Sequence, residues 1–131
     1  MNRAETGRRG EAVAARWYQK QGAQLLAHNY HTRMGELDLV LREPDGTIVI
    51  CEVKTRSQGM LQRPAGAVDP AKQHRLICAA QRYLQQTGKS EEPVRFDVAE
   101  VVPLDSGRWM VHIIKAVSYT HLRAHETAAN L

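Results

Sequence analysis

Two short phrases carry the acids and the amine that phosphodiester chemistry uses. Glu36-Leu37-Asp38-Leu39 precedes a Pro44-Asp45-Gly46 turn, and Cys51-Glu52-Val53-Lys54 follows it. If that turn is a three-residue loop centred on Asp45, opposed residues carry numbers that add to 90, and Asp38 lies across from Glu52. Residues opposed in this way share a face, with Cβ atoms about 4.5–5.5 Å apart. Lys54, two residues beyond Glu52, shares that face, and Glu36 falls opposite Lys54. A loop of two or four residues would put Asp38 and Glu52 on opposite faces.

Two facing carboxylates on a half-buried sheet repel each other, and a divalent cation offsets that repulsion. Magnesium favours sites with one or two carboxylates, several waters and substrate phosphate oxygens. A lysine beside them steadies charge that develops on a phosphate. The competing reading is a cross-strand ion-pair ladder on a solvated face. The apolar run Ile48-Val49-Ile50 argues against it, because it marks a strand buried on both faces, where a charge has a partner or a task.

The elements that must position these groups follow from local pattern. Thr6 to about Gln21 reads as a helix capped by Thr6 and stopped at Gly22, with Val13, Ala14, Trp17 and Tyr18 as its apolar stripe. Gln24 to Tyr30 reads as a short strand, and Arg33-Met34-Gly35 as a turn. Residues 36–42 and 47–55 form the hairpin, and Ser57 to Val68 a loop. Asp69-Pro70 opens a second helix with Asp69 as its cap, a stripe of Leu76, Ile77, Ala80, Tyr83 and Leu84, and a stop at Gly88. Val94 to Val102 and Trp109 to Lys115 are strands joined by Asp105-Ser106-Gly107. This order predicts one mixed sheet with helices packed on it.

The chain has 131 residues, 43% hydrophobic and 24% charged, which suits a single domain over residues 1–117 and excludes a disordered chain. No apolar run is long enough for a membrane span, and no secretory leader is visible, so a cytoplasmic protein is expected. Cys51 and Cys78 are too few for a disulfide framework and read as small buried hydrophobes. Residues 118–131 continue no strand or helix pattern and resemble translated sequencing-adapter sequence, so no function is placed there. The net charge of +4 is a modest attraction for polyanions. Arg56, Lys72 and Arg75 are the expected phosphate contacts, with Arg8, Arg9, Arg16, Arg63 and Arg82 further afield.

The phrases Gly35-Glu36-Leu37-Asp38 and Cys51-Glu52-Val53-Lys54-Thr55-Arg56 resemble the Asp and Glu-x-Lys halves of the PD-(D/E)XK nuclease signature. From about residue 5 to 116 the chain resembles the small bacterial YraN family of predicted endonuclease-like proteins. Gly10-Glu11-Ala12, Asn29-Tyr30, Val68-Asp69 with Lys72, Tyr83-Leu84 and Arg95-Phe96-Asp97-Val98 occur in the family's order. The resemblance implies an α/β, restriction-endonuclease-like fold with a central mixed β-sheet flanked by helices. It implies Mg²⁺- or Mn²⁺-dependent hydrolysis of nucleic acid, with DNA favoured and branched forms included. Asp38 and Glu52 would be metal ligands, Lys54 the catalytic lysine, and Glu11 the helix glutamate that completes the acidic cluster. Glu36 would stand at the rim. A homodimer is compatible with the branched-DNA cutters of similar fold. Two other readings stay open: a nucleic-acid-binding module without turnover, and a protein-interaction domain on the same sheet.

Overall fold

Asn2, not Thr6, starts the first helix. In the computed structural model, which describes residues 2–57 and 70–116, helix α1 spans Arg3–Lys20. The Asn2 side chain accepts the Glu5 N–H at 2.8 Å, and the Thr6 hydroxyl donates back to the Asn2 carbonyl within the first turn. Gly22, at φ +94°, ends α1 in the left-handed conformation that favours glycine. Strands β1 (Gln24–His31), β2 (Glu36–Arg42) and β3 (Ile48–Thr55) follow, then α2 (Pro70–Gln86), β4 (Val94–Pro103) and β5 (Trp109–Ile114). The expected cap of α2 at Asp69, the loop with Arg63, and the tail after residue 116 lie outside the described residues.

The five strands form one sheet in the order β1-β2-β3-β4-β5. β3 and β4 run parallel, joined by the crossover that contains α2, and the other neighbours are antiparallel. Alternate residues of β3 point to opposite faces, and each set meets a different helix. Ile48 and Ile50 pack with Leu76, Ile77, Ala80, Tyr83 and Leu84 of α2. Val49 and Cys51 pack with Ala14, Ala15 and Tyr18 of α1. The helices therefore cover opposite faces of the sheet, which makes β3 central and explains its uninterrupted apolar run. Tyr30 and Tyr83 meet edge to face at 5.1 Å, so both serve the core. Cys51 is buried as expected, whereas Cys78 is only half-buried.

Gly10 sets how closely α1 approaches the sheet. A Cβ there would stand 2.2 Å from the Thr55 hydroxyl oxygen and 2.9 Å from a Val101 methyl. Both side chains are short, so the helix itself would have to lift. Alanine would gain about 1 kcal/mol in helix propensity, against an overpacking cost of about 1–3 kcal/mol. Gly10→Ala is expected to destabilise by about 1 kcal/mol net, read as a lower midpoint in urea; an unchanged or raised midpoint would show that the contact is slack.

Candidate functional site

The β2–β3 ladder pairs Leu39 with Cys51, Val40 with Ile50, Leu41 with Val49 and Arg42 with Ile48, the register predicted from the turn. There it ends. Asp38 turns its carboxylate to β3 and accepts the Val53 N–H at 2.9 Å, so a side chain replaces a ladder bond. Leu37 and Leu39, two residues apart, pack into opposite cores, so the pleat of β2 slips at Asp38. On β1, Asn29 sits between the partners of those two leucines with φ at +49°. The irregularity thus crosses both strands at the level of the acid. Beyond it, Glu36 pairs with His31 of β1 rather than opposite Lys54, and its carboxylate lies 3.6 Å from the His31 ring.

Asp38 and Glu52 line one concavity between the sheet and α2, together with Gly35, Glu36, Lys72, Arg75 and Leu76. Gly35 lets the β1–β2 turn press against α2, because a Cβ there would stand 3.0 Å from the Arg75 carbonyl oxygen. Glu52 is buried. Its Oε1 lies 2.6 Å from Lys72 Nζ, and its Oε2 is buried without a hydrogen-bond partner among the described residues. Burial pushes the Asp38 carboxyl up to about 6, with the charges of Glu11, Glu52 and Glu36 adding and the Val53 N–H opposing.

Lys54 is half-buried two residues beyond Glu52 and on its face. Burial lowers its pKa, helped by Lys72 and Arg56, while Glu52 and Glu100 hold it up. Glu11 comes from α1, on the other face. It lines the grooves between α1 and the sheet, beside Leu39 and Asn29 and beside Val53 and Thr55, and its charge reaches Asp38 at the fork. It does not line the concavity with Glu52. Lys72 and Arg75 do, on the exposed face of α2. Arg56 turns instead to Glu100, 3.7 Å away.

Glu100 is a buried acid beside Lys54 that the sequence reading did not single out. It is the β4 neighbour of Lys54, and it also stands 3.5 Å from His112. The available signal was one glutamate in the otherwise apolar stretch from Val98 to Val102.

Among the described residues no three Asp, Glu, His or Cys side chains are grouped as a metal site. A magnesium-type ion needs fewer, since one or two carboxylates suffice when waters and phosphate complete the shell. Two carboxylates on one concavity, one with an orphaned buried oxygen, fit that requirement.

The raised Asp38 pKa makes a stability prediction. An unfolded aspartate titrates near 3.9, so between about pH 4 and 6 the folded chain holds a proton that the unfolded chain has lost. This contribution to stability is fully present below pH 4 and disappears as pH rises through about 6. Two units correspond to about 3 kcal/mol, reduced to about 1–2 kcal/mol by the partial exposure of the group. Asp38→Asn keeps an oxygen for the Val53 N–H and removes the buried charge. In metal-free buffer it should be more stable than wild type by that amount at pH 7.5 and equal to it at pH 4. Equal melting temperatures at both pH values would contradict the shift.

The chain is thus a mixed α/β protein: a five-stranded mixed sheet, a helix on each face, and an acid–amine site where β2 parts from β3. Residues 10–101 match the model of Uncharacterised protein family UPF0102, and the chain belongs to that family. It is 42% identical over 116 residues to a UPF0102 protein of Thermosynechococcus vestitus, covering 87% of this chain and 93% of that one. A UPF0102 protein of Syntrophomonas wolfei is 43% identical over 116 residues, covering 88% and 99%. One of Bifidobacterium longum is 42% identical over 111 residues, covering 83% and 89%. Among the described residues no helix is long and apolar enough to cross a membrane.

Proposed function

We propose that this protein is a metal-dependent endonuclease that hydrolyses nucleic-acid phosphodiester bonds, DNA foremost, on a restriction-endonuclease-like scaffold. The observation that carries the reading is the fork itself: Asp38 and Glu52 share a concavity, a buried oxygen of Glu52 has no hydrogen-bond partner among the described residues, and Lys54 follows Glu52 on the same face of β3. A bound Mg²⁺ or Mn²⁺ would supply an activated water and offset phosphate charge. Asp38 and Glu52 would hold that ion, with the Val53 N–H fixing the orientation of the Asp38 carboxylate. Lys54 would stabilise charge developing on the phosphate, and Arg75 would draw the polymer into the concavity.

The test is cleavage of linear, flapped and four-way DNA across a Mg²⁺ and Mn²⁺ titration. Cleavage that EDTA stops and that Asp38→Asn abolishes is the expected result. Unchanged cleavage by Asp38→Asn removes the assignment. A second reading, a binding module without turnover, draws on the Lys72–Glu52 ion pair, which already neutralises one of the acids. Salt-dependent DNA binding with no cleavage in either metal would select it.

A further inference from the structure

Lys72 stands where a cation bound to Glu52 would stand. Its Nζ is 2.6 Å from Glu52 Oε1, yet the two ends differ in setting: the Glu52 side chain is 7% exposed and that of Lys72 is 49% exposed. The pair therefore serves the buried acid, which without a counter-charge would be an isolated anion in the protein interior. The lysine, half in water, gains little from it. Among the described residues the second oxygen of Glu52 has no hydrogen-bond partner, and Asp38, Glu36 and Arg75 border the same space.

We propose that Lys72 is a cationic stand-in for the divalent ion: it neutralises Glu52 in the metal-free protein, withdraws when the ion binds, and then contacts a phosphate of the nucleic acid in the same concavity. The inference rests on the metal-dependent reading above. Its physical basis is exclusion. An ammonium at hydrogen-bond distance from a carboxylate oxygen and a doubly charged ion on that oxygen would repel each other at close range. The side chain that moves is the one on the exposed helix face, because Glu52 is anchored in a central strand. A withdrawn ammonium needs a new anion, and a phosphate at the fork supplies it. Cation and nucleic acid must then strengthen each other's binding, a coupling that is reciprocal by thermodynamic necessity.

Lys72→Met keeps the aliphatic stem and removes the charge. By calorimetry at pH 7.5 the variant is expected to bind Mn²⁺ about three- to tenfold tighter than wild type. In the same buffer with Ca²⁺ in place of Mn²⁺, fluorescence anisotropy with a labelled DNA duplex should show wild type gaining affinity from the metal. The variant should lose most of that gain. Mn²⁺ binding by wild type with an unchanged constant in the variant overturns the stand-in and leaves the metal site intact. No Mn²⁺ binding by either protein overturns the metal-dependent reading itself, and this inference with it.

Discussion

On the proposed nuclease reading, Lys54→Ala is expected to slow metal-dependent cleavage by about a hundredfold to a thousandfold, the usual cost of removing one preorganised donor from a developing oxyanion. The expectation comes from where the amine sits. It is half-buried on a central strand, between the buried carboxylates Glu52 and Glu100. Among the described residues it makes no ion pair or hydrogen bond, whereas its neighbour Arg56 is drawn to Glu100 and Lys72 to Glu52. A partly desolvated amine without a fixed partner is available to a substrate phosphate. Two further readouts separate this role from a structural one. Mn²⁺ affinity should hold or tighten, because a nearby positive charge is removed. The loss should fall on kcat, because a donor used mainly in the transition state contributes little to ground-state binding. Cleavage within about threefold of wild type would exclude Lys54 from the chemistry.

The parts of this site that were legible in the sequence are the local ones. A three-residue turn with Gly46 at φ +95° sets the hairpin register, and the pairing of Leu39 with Cys51 follows from the turn alone. The alternation of β3 similarly places Glu52 and Lys54 on one face. Counting residues stops being informative at Asp38, because the aspartate takes the Val53 N–H for itself and the two strands part there. That exchange is a side-chain event, invisible to periodicity, and it is why Glu36 does not reach Lys54.

Contacts across large sequence separations were equally out of reach. The parallel pairing that brings Glu100 beside Lys54 depends on a crossover through a whole helix. The rotation of α2 that presents Lys72 to Glu52 is set by the packing of Leu76 and Ile77, not by the charge pattern. The start of α1 was misread for a smaller reason. Asn2 and Thr6 are both competent caps, and only the hydrogen bonds to Glu5 and from Thr6 show which one acts.

Asp97→Ala is expected to cost about 3–5 kcal/mol, a large share of the total stability of a domain of this size. The carboxylate is fully buried on the α1 face of β4 and gathers four donors. Arg95 reaches it through Nε at 2.8 Å and a terminal nitrogen at 3.0 Å, the Tyr18 hydroxyl donates at 2.6 Å, and the Ala116 N–H donates at 3.0 Å. Arg95 also binds Glu43 at 2.6 Å, so the cluster ties α1, the β2–β3 turn, β4 and the end of β5 together. Burial, the Cys51 thiol and Asp97 all push the Tyr18 phenol up, which keeps it a donor at any physiological pH. Alanine would strand the Tyr18 hydroxyl and the Ala116 N–H in the interior and leave the half-buried Arg95 guanidinium with Glu43 alone, and that penalty exceeds the net worth of the bonds themselves. Tyr18→Phe removes a single donor to a charged acceptor and should cost about 1.5–3 kcal/mol. Both values are readable from urea denaturation of the metal-free protein. The cluster lies across the sheet from the concavity, so Tyr18→Phe, while folded, should bind Mn²⁺ as wild type does. If Tyr18→Phe weakened Mn²⁺ binding without lowering stability, the proposed division between the two faces, with stability on the α1 side and chemistry on the α2 side, would have to be abandoned.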